Sequence, residues 1–121
     1  MGRKGTFPPK SSESGDVVAP FGSDAANFLA AFSNVGTSLD VAGAGVGVVS
    51  TIPGGYAPMS GTSMACPAVT GVFARLLSQS TAVLNMPRNA DRADAIKTLL
   101  FNQAQSLGLG GVGFEGKGLP K

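Results

Sequence analysis

The sequence from residue 60 to residue 79, SGTSMACPAVTGVFARLLSQ, carries the clearest structural pattern of the chain. Pro67 is compatible with a helix here if it lies in the first turn, where a backbone N–H has no intrahelical acceptor and its loss costs little. The pattern therefore predicts a long helix that begins at Ser63 or Met64. Its apolar residues recur at a spacing of three and four positions, which places on one helical stripe Val69, Val72, Phe73, Leu76 and Leu77.

Short segments on either side of this helix are typical of strands and of a second helix. Asn89 is a predicted N-cap, with Asp91 and Asp94 in the first turn and a buried face formed by Ala93, Ile96, Leu99 and Leu100. Residues 24–34 have no clear pattern, and the six glycines of residues 107–121 indicate loops. Strands followed by helices predict an α/β fold, as part of a sandwich. The predicted strands are residues 16–21, 39–42 and 46–52, the last of which ends at a Pro-Gly-Gly turn.

The composition excludes several classes of function. The chain has 121 residues with no histidine, so it cannot complete a Ser-His-Asp or Cys-His site by itself. Its net charge of +2 comes from scattered residues, and we expect residues 1–15 to be a disordered tail or loop and not a nucleic-acid interface. No apolar run approaches the ~20 residues of a membrane span, so no membrane partner is expected. Residues 1–10 lack the apolar stretch of a signal peptide.

Ser63 is the candidate for chemistry. It lies where a turn meets the predicted helix N-terminus, and there unpaired N–H groups and the helix dipole favour the negative charge that develops in acyl transfer. Gly61 and Ala65 are small and leave room for a substrate backbone. The alternative, which local chemistry alone favours, is that Thr62 or Ser63 is only the N-cap of the helix.

Five stretches of the chain, in order, resemble one protein family. Residues 60–67, followed by Val69 and Gly71, are similar to the nucleophile segment of the subtilisin-like serine proteases. Order and spacing agree with that family from about residue 17 to residue 119. The resemblance implies that residues 16–121 are the C-terminal part of a catalytic domain, a partial three-layer α/β sandwich of C-terminal strands, the nucleophile helix and a second helix. The other similar stretches are residues 17–24 (VVAPFGSD), 31–36 (AFSNVG), 39–46 (LDVAGAGV) and 116–119 (GKGL).

The resemblance implies that Ser63 is the nucleophile of a serine endopeptidase, with Gly61, Thr62 and Met64 beside the oxyanion or the substrate. The catalytic Asp, the catalytic His and the oxyanion Asn of the family all precede the matched region, so we expect the chain to be inactive alone. The implied partners are a peptide or protein substrate and the missing N-terminal part of the domain, in cis or as another chain. Self-association through an exposed sheet edge is also expected. The family is usually secreted, but this sequence leaves the compartment undetermined.

Several alternatives stay open at this point. The chain is also compatible with a non-catalytic remnant that acts as a binding or structural module, and with a fragment of the sedolisins, which use Ser-Glu-Asp. Cys66 is interpreted as a small core residue in preference to a reactive thiol. Asp40 is interpreted as a hydrogen bonder at a turn or strand end, because Ser38 supplies no second carboxylate for a cation. No cofactor is predicted, and a structural calcium in a complete enzyme finds no support in these residues.

Overall fold

A computed structural model describes residues 1–3 and 26–121 of the chain. The described strands pair as three two-stranded antiparallel sheets, β1 with β2, β3 with β4, and β5 with β6. Helices and small sheets together confirm the predicted α/β class of a partial fold. The elements are β1 Gly2–Arg3, β2 Asn27–Phe28, β3 Val48–Ile52, β4 Gly55–Met59, α1 Thr62–Gln79, α2 Thr81–Leu84, α3 Ala90–Gln103, β5 Ala104–Gln105, α4 Val112–Glu115 and β6 Leu119–Pro120.

Helix α1 is the long helix that the apolar stripe predicts, but it begins slightly earlier than expected. Its first residue is Thr62, so Pro67 is the sixth residue and lies inside the helix instead of in its first turn. Proline has no N–H, and the carbonyl of Ser63 therefore lacks the intrahelical donor that any other residue at position 67 would supply. The stripe residues are all half-buried, and no residue of α1 is buried by the described part of the chain.

Helix α3 confirms the second predicted helix. The Oδ1 of Asn89 accepts a hydrogen bond from the backbone N–H of Arg92 at 3.2 Å, which is the expected cap. Asp91 lies in the first turn, but Asp94 lies beyond it. On the predicted buried face Leu100 is buried and Ile96 and Leu99 are half-buried, whereas Ala93 is exposed. Helical spacing predicts which face is apolar, but not how far along that face the neighbouring elements extend.

The strand predictions agree only in part with the structure. Residues 39–42 form no strand, and only Val41 makes an isolated bridge, with Gly116. The predicted strand 46–52 begins two residues later as β3, and its hairpin partner β4 was not predicted because it contains glycine and proline. Gly2 and Arg3 of the expected N-terminal tail form β1, while residues 4–15 and the predicted strand 16–21 lie outside the described residues. Residues 27–28, which had no assignment, form β2.

The last part of the chain is more ordered than its glycines suggest. It folds against residues 39–42 to form what we call the C-terminal cluster, residues 39–42, 104–109 and 115–120. The backbone N–H of Lys117 donates to the carbonyl of Asp40, and the N–H of Ala42 donates to the carbonyl of Gly118, both at 2.9 Å. Two stretches that carry the family resemblance, about 75 residues apart, are therefore hydrogen-bonded to each other.

One carboxylate is buried inside the C-terminal cluster. Glu115 is 2% exposed, and its two oxygens accept hydrogen bonds from the Ser106 hydroxyl at 2.8 Å and the Leu107 backbone N–H at 2.7 Å. Both oxygens are thus satisfied, which a buried carboxylate requires. Among the helices of the described residues, none is long and apolar enough to cross a membrane.

Candidate functional site

Ser63 is the second residue of α1 and is exposed. The N-cap of this helix is Gly61, which has no side chain to cap the helix N-terminus. The interpretation of Thr62 or Ser63 as the N-cap is therefore wrong, because both residues already lie inside the first turn. The Ser63 hydroxyl likewise has no hydrogen-bonding partner among residues 1–3 and 26–121.

The turn before Ser63 is fixed by hydrogen bonds from an earlier segment of the chain. The N–H of Gly61 donates to the carbonyl of Gly45 at 2.8 Å, and the Ser60 hydroxyl accepts from the N–H of Gly47 at 3.0 Å. The carbonyl of Gly61 in turn accepts from the N–H groups of Met64 and Ala65, at 3.1 and 3.3 Å. The start of α1 is thus held from both sides, and the Ser63 side chain is left free to face outward.

Small residues allow residues 43–45 to pack directly on α1. A Cβ atom at Gly45 would lie 2.7 Å from the carbonyl oxygen of Gly61, and one at Gly43 would lie 2.9 Å from the Cγ2 of Val69. Both distances are shorter than a carbon atom tolerates without movement of its neighbour. Packing against α1 therefore explains why residues 43 and 45 are glycines.

The helix start at Ser63 favours an anion, but among the described residues no side chain is hydrogen-bonded to the Ser63 hydroxyl as a general base would be. The first turn of the 18-residue helix α1 carries no acidic side chain, and the N–H of Ser63 is one of the first-turn groups without an intrahelical acceptor. The chain contains no histidine. The carboxylate of Asp40 lies 3.1 Å from the Nζ of Lys97 in an exposed ion pair, so its side chain does not act as the turn hydrogen bonder that we expected. No group of three His, Cys, Asp or Glu in the described ranges is arranged to hold a metal ion.

An apolar groove lies beside Ser63, on the adjacent face of α1. We call it the α1 groove. It has a volume of about 370 Å³ and is closed on its far side by residues 29–34 and 39–45. Met1 also contributes, and burial lowers the pKa of its α-ammonium group, which donates to the carbonyl of Gly43 at 2.9 Å. The residues that α1 contributes to the groove are Thr62, Ala65, Cys66, Val69, Thr70 and Phe73.

The structure separates the predicted site residues into two groups. Gly61 and Thr62 line the α1 groove, whereas Ser63 and Met64 do not. Cys66 is exposed and faces the groove, so its interpretation as a core residue is wrong. Leu29 and Phe32, on the opposite wall, lie in the segment that had no assignment, and no periodicity in that segment identifies them.

Comparison with known proteins gives one consistent result. The model of the subtilase family matches residues 10–117. The chain is 52% identical over 79 residues to the thermophilic serine proteinase of Bacillus sp. strain AK1. The aligned region covers 64% of this chain and 19% of that protein. It is 39% identical over 94 residues to the alkaline elastase YaB of Bacillus sp. strain YaB, covering 77% of this chain and 23% of the relative.

A third relative is covered to a similar extent. The chain is 42% identical over 80 residues to subtilisin NAT of Bacillus subtilis subsp. natto, covering 65% of this chain and 21% of the relative. The chain thus spans about a fifth of the length of the curated relatives that it matches.

Proposed function

The chain belongs to the subtilase family, and on this basis we propose that it is the C-terminal part of a subtilisin-like serine endopeptidase domain, residues 16–121, with Ser63 as nucleophile. The observation that carries the proposal is the exposed hydroxyl of Ser63 at the N-terminus of α1, within the family match. In the complete domain the Ser63 oxygen attacks the scissile carbonyl of a peptide or protein substrate, and water then hydrolyses the acyl-enzyme. The N–H of Ser63 donates to the oxyanion, beside Gly61, Thr62 and Met64.

The chain alone is not expected to hydrolyse peptides. A serine hydroxyl is a weak nucleophile until a general base removes its proton. The chain has no histidine, and the helix dipole at α1 contributes only about 1 kcal/mol, which changes a rate by less than about tenfold. The base must come from residues outside this chain, together with the acid that orients it and the second oxyanion donor.

The subtilase match also bears on the alternatives. It favours the subtilisin-like interpretation over the sedolisin-like one. The non-catalytic remnant stays a second candidate, because a binding module would equally have no histidine and a Ser63 hydroxyl without a hydrogen-bonding partner among the described residues. Self-association stays a prediction, and the isolated hairpin β3–β4 supports it, since within the described residues each of its strands pairs only with the other.

The decisive experiment supplies the missing residues. We would fuse the part of the Bacillus sp. AK1 proteinase that precedes its matched segment to residue 16 of this chain, and treat the chimera and the chain alone with a fluorophosphonate probe. We expect covalent labelling of Ser63 in the chimera and none in the chain alone. The variant Ser63→Ala abolishes labelling, whereas Ser78→Ala, an exposed serine of the same helix, retains it.

Two results would contradict the proposal. Labelling of Ser63 in the isolated chain would mean that these residues activate the hydroxyl without a base from elsewhere. A chimera that unfolds cooperatively on heating but is not labelled would favour the non-catalytic remnant.

A further inference from the structure

We propose that Ser60 is a positioning residue for Ser63. Its hydroxyl oxygen binds the turn before α1 to the open end of the β3–β4 hairpin, and this hydrogen bond fixes where the nucleophile lies. Ser60 is half-buried and lies three residues before Ser63. The role rests on the proposed function, since Ser60 acts on the reaction only through the turn that carries the nucleophile.

The first support is the place of Ser60 at the end of the hairpin. The backbone pairing of β3 with β4 ends at Val48 and Met59. One residue further on each strand, the Ser60 hydroxyl accepts a hydrogen bond from the N–H of Gly47 at 3.0 Å, in a part-buried position. A side chain therefore extends the connection between the strands by one residue, next to the point where Gly61 begins α1 as its N-cap.

The second support is that two consecutive residues of the turn are bound to one segment, residues 45–47. The N–H of Gly61 donates to the carbonyl of Gly45 at 2.8 Å, beside the bond between Ser60 and Gly47. Two directional bonds at consecutive residues fix both the position and the direction of the chain, whereas a single bond leaves the chain free to rotate about it. Because Ser63 lies only two residues beyond Gly61, such a rotation would move its hydroxyl.

The third support is the backbone conformation of the donor. The φ of Gly47 is +63°, in the left-handed region that glycine adopts without strain and other residues rarely adopt. In this conformation its N–H meets the Ser60 hydroxyl. The hydrogen bond can therefore be altered from either side, by removing the hydroxyl at residue 60 or by straining the backbone at residue 47.

The expected consequence concerns the rate of the chemical step. A catalytic group must lie within about 0.5 Å of its productive position, and a misplacement of about 1 Å can cost about 10²-fold in rate. The oxygen of Ser63 must reach both the general base and the scissile carbonyl in the complete domain. Loss of the bond between Ser60 and Gly47 should therefore lower kcat and leave KM nearly unchanged.

The first measurement uses the chimera described above, with kcat and KM determined for hydrolysis of a chromogenic peptide anilide. We expect Ser60→Ala to lower kcat by about 10- to 100-fold and to change KM by less than about twofold. Ser60→Thr keeps a hydroxyl acceptor and should restore kcat to within about threefold of the parent chimera. Ser50→Ala is the matched control, because Ser50 is an exposed serine of the same hairpin, and it should change neither constant.

The second measurement is hydrogen exchange of backbone N–H groups in the chain alone, which does not depend on catalysis. We expect Ser60→Ala to raise the exchange rates of Gly47 and Gly61 by more than about tenfold, because the first loses its acceptor and the second loses the neighbouring bond. Gly47→Ala should raise exchange at Gly61 in the same way. The N–H groups of α3 serve as the internal reference for unfolding of the chain and should exchange as before.

The outcomes separate this role from the proposed function. If Ser60→Ala leaves the kcat of an active chimera unchanged, the positioning role is wrong and the proposed function stands. If the parent chimera is not labelled at Ser63, the proposed function fails, and exchange at Gly61 then decides whether Ser60 holds the turn. A loss of kcat together with faster exchange throughout α3 would overturn the positioning role, because Ser60 would then stabilise the fold as a whole.

Discussion

The C-terminal cluster and helix α1 differ in how far the described residues bury their apolar side chains and supply their hydrogen-bonding partners. In the C-terminal cluster Leu109 is fully buried, the buried carboxylate of Glu115 has partners for both oxygens, and the backbone is joined to residues 39–42. Helix α1 is 18 residues long with a continuous apolar stripe, yet none of its residues is buried by the described part of the chain. The difference teaches that the C-terminal cluster finds its partners among the described residues, whereas the same residues cover the apolar stripe of α1 only in part.

The largest effect should come from Gly118, where the C-terminal cluster is tightest. Its φ is +105°, and a Cβ atom would lie 2.1 Å from the carbonyl oxygen of Gln105. We expect Gly118→Ala to lower the free energy of unfolding by about 3 kcal/mol or more, because strain and overlap with backbone add together. Urea unfolding followed by circular dichroism would measure this.

Gly113 is the matched control for Gly118, since it has open space where its Cβ would be. Gly113→Ala should change the free energy of unfolding by less than about 1 kcal/mol. Equal effects at the two glycines would mean that the C-terminal cluster is not packed as described.

The next largest effect is expected when a leucine is replaced by alanine, and its size should differ between α3 and α1. Leu100→Ala removes a buried side chain and should cost about 2–5 kcal/mol. Leu76→Ala, on the half-buried stripe of α1, should cost about 1–2 kcal/mol in the chain alone, because Leu76 is less buried than Leu100 and loses less apolar contact. In the folded chimera the cost at Leu76 should approach that at Leu100, and a cost that stays unchanged would argue against a covered α1 face.

The smallest effect concerns the two helix starts. Asn89 caps α3 with its side chain, and Asn89→Ala should cost about 1 kcal/mol. At the start of α1, Gly61→Ser should change the free energy of unfolding by only a few tenths of a kcal/mol, approximately the difference between glycine and serine caps. Both values come from the same urea series, and a loss above about 1 kcal/mol at Gly61 would show that its missing side chain is needed for close packing.

Periodic and capping patterns predicted the helices well, while the strands were predicted poorly. The apolar stripe from Val69 to Leu77 and the cap at Asn89 depend on residues that are close together along the chain, so the sequence alone is enough to predict them. The strand predicted at residues 39–42 failed because its hydrogen bonds go to Lys117 and Gly118, about 75 residues away. Such a pairing depends on the path of the whole chain, which short-range propensity does not contain.

The sequence by itself determined the family, the long helix and the position of Ser63 at its start, because each of these is written in contiguous or regularly spaced residues. Only the tertiary structure decided that Gly61 and not Thr62 or Ser63 caps α1, that Cys66 is exposed, and that an apolar groove opens beside the site. These features depend on which distant segments approach each other and on where no segment does. The physical reason is that burial is a property of the neighbours that a residue has in space, and short-range sequence patterns do not specify those neighbours.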